Sequence, residues 1–131
     1  MPLITLFFAS LLVLLNLVLM VRVTLRRRER KIGLGSGGDA LLQQRIRAHA
    51  NFIEQAPLAL LMLMMLELSG LAPVAIWVLG AMLLAGRVLH AIGVSGSGGY
   101  SFGRFTGTLL SWAVLLASAV LGLYVVAMRL F

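Results

Sequence analysis

Residues 3–21 contain no charged side chain and only three polar ones, Thr5, Ser10 and Asn16. About 19 such residues make a helix long enough to cross a ~30 Å hydrocarbon core. Within lipid every backbone N–H and C=O must be satisfied internally, so a spanning chain is restricted to helices or a closed barrel. Further along the sequence the pattern recurs: apolar stretches at about 3–24, 40–69, 73–94 and 104–129 are all of helical length. With 61% hydrophobic and 11% charged residues, against about 25% charged in an ordinary soluble domain, this chain lacks the polar surface a soluble fold needs. The expectation is an all-α integral membrane protein, one domain built as a four-transmembrane-helix bundle.

The connections follow from local composition. Residues 22–39 are basic and then rich in glycine (Gly33, Gly35, Gly37, Gly38), which reads as a surface connection, and Asp39 is placed to cap the next helix. Helical periodicity then continues from Ala40 to Ser69, roughly 30 residues or about 45 Å, more than the bilayer core. Its first turns, carrying Gln43, Gln44, Arg45, Arg47 and His49, are expected in water. Pro57 is expected to kink this second span. Residues 70–73 read as a tight turn and residues 95–103 as a flexible loop, which has neither the lysine nor the preceding strand of a phosphate cradle. The N-terminal run has no basic leader and exceeds a signal-peptide core, so it is expected to remain as an uncleaved span.

Net charge is +7, and the position of the charge decides its meaning. Eight of the eleven cations (Arg22, Arg26, Arg27, Arg28, Arg30, Lys31, Arg45, Arg47) lie directly after the first apolar run. No aromatic residues interleave them and their flanks are hydrophobic, so membrane orientation explains them better than nucleic-acid binding. The positive-inside rule then places the first loop in the cytoplasm and both termini in the periplasm. Arg87 and Arg104 share the cytoplasmic half, and Arg129 alone lies on the other side. The chain has no cysteine, so any thiol chemistry must come from a ligand. Two isolated histidines and four scattered acids offer no metal-ligand spacing.

Arg47, Asn51 and Glu54 are spaced i, i+4, i+7 and therefore share one helix face. Glu54 lies about 21 Å along the helix from Ala40, at a depth where an ionised carboxylate needs a partner. A polar clamp between helices would meet that need, but an intramembrane acid points first to function. Arg87 and His90, one turn apart on the third span, arrive at similar depth; their alternative is snorkelling at the interface. Tyr100 and Arg104 flank the start of the fourth span, either as interfacial anchors or as site residues. Asn16 reads as an interhelical hydrogen-bond donor, Glu67 as a solvated acid at the opposite face, and His49 as solvent-facing. The seven methionines read as packing, and Trp77 and Trp112 as interfacial or lipid-facing.

The stretch Arg47-Ala-His-Ala-Asn51-Phe-Ile-Glu54-Gln-Ala-Pro57 resembles the second-helix signature Arg-x-x-x-Asn-x-x-Glu-x-x-Pro of the MAPEG family, the membrane-associated proteins in eicosanoid and glutathione metabolism. Gly86-Arg87-Val88-Leu89-His90 agrees more weakly, and chain length, four spans and a cationic first loop agree as well. The resemblance is to the bacterial branch and to microsomal glutathione transferases. It implies a homotrimer in a bacterial inner membrane, with glutathione between neighbouring subunits near the cytoplasmic face. Arg47 would hold a glutathione carboxylate, Glu54 its amino group and Asn51 a peptide group, with Arg26, Gln55, Arg87, His90 and Tyr100 completing the binding set. Arg104 matches the family's catalytic arginine, which stabilises the thiolate for attack on a small hydrophobic electrophile arriving from membrane lipid.

Gln55, His90 and Val94 stand where many members of that family have tyrosine. The function implied is a glutathione-dependent transferase or peroxidase. Two readings from other classes compete with it: a small proton-coupled multidrug exporter working through Glu54, and a non-catalytic binding or scaffold protein of the same fold. Arg47 disfavours the exporter, since a cation beside the acid repels cationic cargo.

Overall fold

Four helices account for most of residues 1–96 and 99–130, the part of the chain that the computed structural model describes. They are α1 (Leu3–Arg30), α2 (Ala40–Leu68), α3 (Pro73–Gly96) and α4 (Phe102–Leu130), and each is long and apolar enough to cross a membrane. Packing draws α3 against α4, and α2 against each of the other three, while α1 rests on α2 and α3. Leu12 and Leu19 of α1, Ala56 and Leu63 of α2, Leu83 of α3 and Val114 of α4 form the shared core.

The first helix outlasts the expectation. Residues 22–30, read above as the start of a surface connection, complete α1, because arginine is a good helix former and cations suit the carbonyl end of the helix dipole. The helix stops at Lys31, which takes the left-handed conformation (φ 54°), with the Ile32 N–H donating to Arg27 O at 3.0 Å. The glycine-rich link follows as expected, and Gly35, Gly37 and Gly38 all have positive φ. Asp39 caps α2 by accepting from the Leu42 N–H at 2.7 Å. It also receives Arg26 through Nε (3.2 Å) and Nη2 (2.8 Å), and Arg30 at 3.1 Å.

At the far end of the bundle, α2 runs through Pro57 to Leu68, and Gly70 (φ 82°) turns the chain. The Leu71 N–H donates to Leu66 O and the Gly70 N–H to Glu67 O, the closure that a left-handed glycine permits. Pro73 then opens α3, where its missing N–H is harmless. Glu67 is partly exposed at this end of the bundle and also has a structural role. Its carboxylate accepts from the backbone N–H of Ile4 (2.9 Å) and Thr5 (2.7 Å), so it caps α1, whose own preceding residue Pro2 supplies no side-chain cap. Arg129 donates to Ser69 O and ties the end of α4 to the same turn.

Helices α3 and α4 meet backbone to backbone. A Cβ added at Gly107 would sit 2.5 Å from Gly86 O and 2.6 Å from the His90 N, and one at Gly93 would collide with the Arg104 N. Of the loop expected at 95–103, Ser97 and Gly98 lie outside the described residues, Ser95 and Gly96 finish α3, and Phe102 and Gly103 begin α4.

Candidate functional site

The polar stripe of α2 divides in two. Arg47 and Glu54 are exposed on the outer face of the chain, while Asn51 between them is half-buried. Successive helical residues are about 100° apart, so Asn51 lies about 60° round the helix from Glu54, enough to turn it inward. There its Oδ1 accepts from Arg87 Nη1 at 2.9 Å, and the same nitrogen lies 3.4 Å from Asn51 O. Arg87 Nη2 donates to Gly107 O at 3.2 Å, so one guanidinium joins α2, α3 and α4.

Arg87 is 1% exposed, which removes the snorkelling alternative. It forms no ion pair among the described residues, and its Nε is buried without a hydrogen-bond partner. A buried cation held by a carboxamide and carbonyls keeps its full positive charge in the core. His90 is buried one turn further along α3, within electrostatic reach of both Arg87 and Arg104. The interior at the Gly86–Gly107 crossing is therefore electropositive.

Arg104 sits in the first turn of α4, half-buried. Its backbone N–H donates to Ser101 Oγ at 3.3 Å and its Nη1 to Gly99 O at 2.9 Å, which orients the side chain and leaves donors of the guanidinium fork uncommitted. Tyr100 is exposed just before α4, its ring 6.1 Å from that of Phe105. On α2, Gln55 is half-buried and its Oε1 is buried without a partner.

Arg26 is engaged within the chain. Its Nη1 pairs with Glu29 at 2.8 Å while Nε and Nη2 engage Asp39, so it builds the α1–α2 corner. The Arg26 hydrogen bond, and then that of the Leu42 N–H, hold the Asp39 carboxyl below the ordinary aspartate value. His49 is half-buried and not fully solvent-facing, and Asn16 Oδ1 is buried without a hydrogen-bond partner.

Sequence reasoning missed Gly107, whose carbonyl accepts from both Arg87 and Ser111. The signal was present: Gly103 and Gly107 are four residues apart, the spacing at which small residues let membrane helices approach closely. An apolar groove of about 470 Å³ between α2 and α4, lined by Met62, Met65, Leu66 and Leu123, begins 11 residues from Asn51. That is about 16 Å along the helix, so it does not belong to the polar site.

The sequence profile of the MAPEG family matches residues 5–124. Inner membrane protein YecN of Escherichia coli (strain K12) is 34% identical over 67 residues, 51% of this chain and 51% of that protein. The protein of the same name from Escherichia coli O6:H1 matches to the same extent. The match thus spans about half the length of these relatives.

Proposed function

The chain belongs to the MAPEG family, and from that premise we propose that it is a glutathione-dependent membrane enzyme that conjugates or reduces lipophilic electrophiles. The observation that carries the reading is the outer face of α2. Arg47 and Glu54, opposite charges about 10 Å apart along a membrane helix, are exposed and form no ion pair among the described residues. Lipid cannot satisfy the carboxylate of Glu54, which lies deeper along the helix than Arg47. A second copy of the chain, as in a homotrimer, together with a small zwitterion between the copies, can.

Glutathione carries two carboxylates and one ammonium, which suits Arg47 and Glu54 respectively. Asn51, whose oxygen is already committed to Arg87, presents its NH₂ to a peptide carbonyl. Gln55, His90 and Tyr100 add hydrogen-bonding groups around the same ligand. Arg104 supplies the charge beside the thiol: a free thiol has a pKa of about 8.5, and a neighbouring guanidinium lowers it. The thiolate sulfur then attacks an electrophilic carbon, the S–C bond forming as a halide or other anion leaves and the thiol proton passes to solvent. With a hydroperoxide, the thiolate takes the terminal oxygen and releases an alcohol. A second glutathione converts the resulting sulfenic acid to the disulfide and water. Because the relatives are named inner membrane proteins, we assign the chain to a bacterial inner membrane, with the Arg-rich link cytoplasmic and the termini periplasmic.

The test is to titrate the detergent-purified chain with glutathione, following thiolate absorbance in the ultraviolet and conjugation of a chlorodinitrobenzene-type electrophile. We expect saturable thiolate formation and conjugation. Arg104→Ala should remove the thiolate signal yet spare binding, whereas Arg47→Ala should weaken binding. No binding at millimolar glutathione would sink the proposal. Binding without conjugation would instead favour a scaffold role, which Gln55 and His90 in place of family tyrosines make a specific alternative.

A further inference from the structure

A second groove, of about 450 Å³, runs between α1 and α3 of the same chain, away from the outer face of α2. Leu15, Leu19, Val88 and Ile92 line its length, and Arg22 and Ser95 close one end. From Leu15 to Arg22 is about 10 Å along α1, so the groove is a narrow apolar trough with a cation at its head. Arg22 Nη1 donates to Ser95 Oγ at 3.0 Å, and Ser95 Oγ in turn donates to Ala91 O at 2.6 Å. That leaves most of the five guanidinium donors uncommitted.

The cation has no counter-ion. Arg22 forms no ion pair among the described residues, and the acids at this end of the bundle are engaged elsewhere, Glu29 by Arg26 and Asp39 by Arg26 and Arg30. A second guanidinium adds to the imbalance: Arg45 Nη1 donates to the carbonyl of Arg22 at 2.9 Å, and its Nε is buried without a partner. Between Arg22 and Arg47 the sequence holds eight cations and two acids, a local excess of six. A membrane helix with an unbalanced arginine at the head of an apolar trough calls for an anion that carries its own hydrocarbon.

We propose that this groove binds one anionic phospholipid, its phosphate on Arg22 and one acyl chain along the α1–α3 trough. The site is independent of the glutathione reading, since it uses neither the α2 stripe nor Arg104.

The full chain, extracted in neutral detergent, is offered phosphatidylglycerol or phosphatidylcholine with identical acyl chains, and retained lipid is counted by native mass spectrometry. Phosphatidylglycerol should be retained about fivefold better, the factor expected for one basic side chain beside an anionic headgroup. Arg22→Gln should abolish that preference and Arg22→Lys should keep most of it, which separates a lost charge from a lost fold. Arg28→Gln, removing an exposed cation outside the groove, should change nothing. Val88→Phe, which fills the trough, should lower retention of both lipids. Soluble glycerol phosphate should not displace the bound lipid. An unchanged preference in Arg22→Gln, an equal loss in Arg28→Gln, or displacement by glycerol phosphate would each overturn the proposal.

Discussion

Arg87 shows how far a residue can depart from the role its neighbourhood in sequence suggests. An arginine in the last two turns of an expected span reads as an interfacial anchor, yet here it is 1% exposed and bonds to Asn51 and Gly107. Its dependence on Asn51 makes a signed prediction. Asn51→Leu leaves the buried charge with one partner fewer and should cost about 2 kcal/mol of stability. Arg87→Met removes the charge together with its need for partners and should cost less. Unfolding of both variants in detergent checks the order, and a larger loss in Arg87→Met would contradict it. The stripe itself was legible: Arg47, Asn51 and Glu54 announce a polar face by spacing alone. The division of that face was not, because a 60° rotation round the helix axis depends on where α3 presents its arginine.

At the scale of elements, the hydrophobic runs revealed all four helices, and Asp39 announced the cap of α2. The length of α1 was not legible, because a run of arginines reads as a boundary although nothing in it breaks a helix. The role of Glu67 was equally hidden, since its partners lie more than 60 residues away at Ile4 and Thr5. The corner of α1 and α2 predicts a pH response. Asp39 is held below its ordinary value by Arg26 and the Leu42 N–H, so its contribution is complete above about pH 4, the unfolded aspartate value, and is lost as pH falls further, through the folded value. Hydrogen exchange at residues 39–42 should be flat from about pH 7 to 5 once corrected for intrinsic rates, and should accelerate below about 4. Asp39→Asn should abolish that acceleration. At the α3–α4 crossing, Gly107→Ala drives a methyl toward Gly86 O and the His90 N; overpacking of this kind costs about 1–3 kcal/mol. Circular dichroism melts should show the loss, and an unchanged melting point would mean that the helices have room to part.

The whole molecule exposes apolar surface on every helix, with Leu14 60% and Leu123 72% accessible. In a membrane that surface meets lipid or another copy of the chain. Among it, the exposed Glu54 on α2, with Arg47 two turns nearer the membrane surface, is the feature that lipid cannot solvate, and the proposed function follows from what would have to cover it. Arg104, by contrast, is poised at the start of α4 as the proposed source of thiolate stabilisation. Binding at the α2 face is thus the claim on which the chemistry depends, and calorimetric titration of glutathione into the purified full chain tests it most directly. The account predicts saturable binding, weakened at least tenfold in both Arg47→Ala and Glu54→Gln, about 1.4 kcal/mol for each lost charged contact. Binding of equal strength in both variants, or no heat of binding to the unmodified chain, would contradict it.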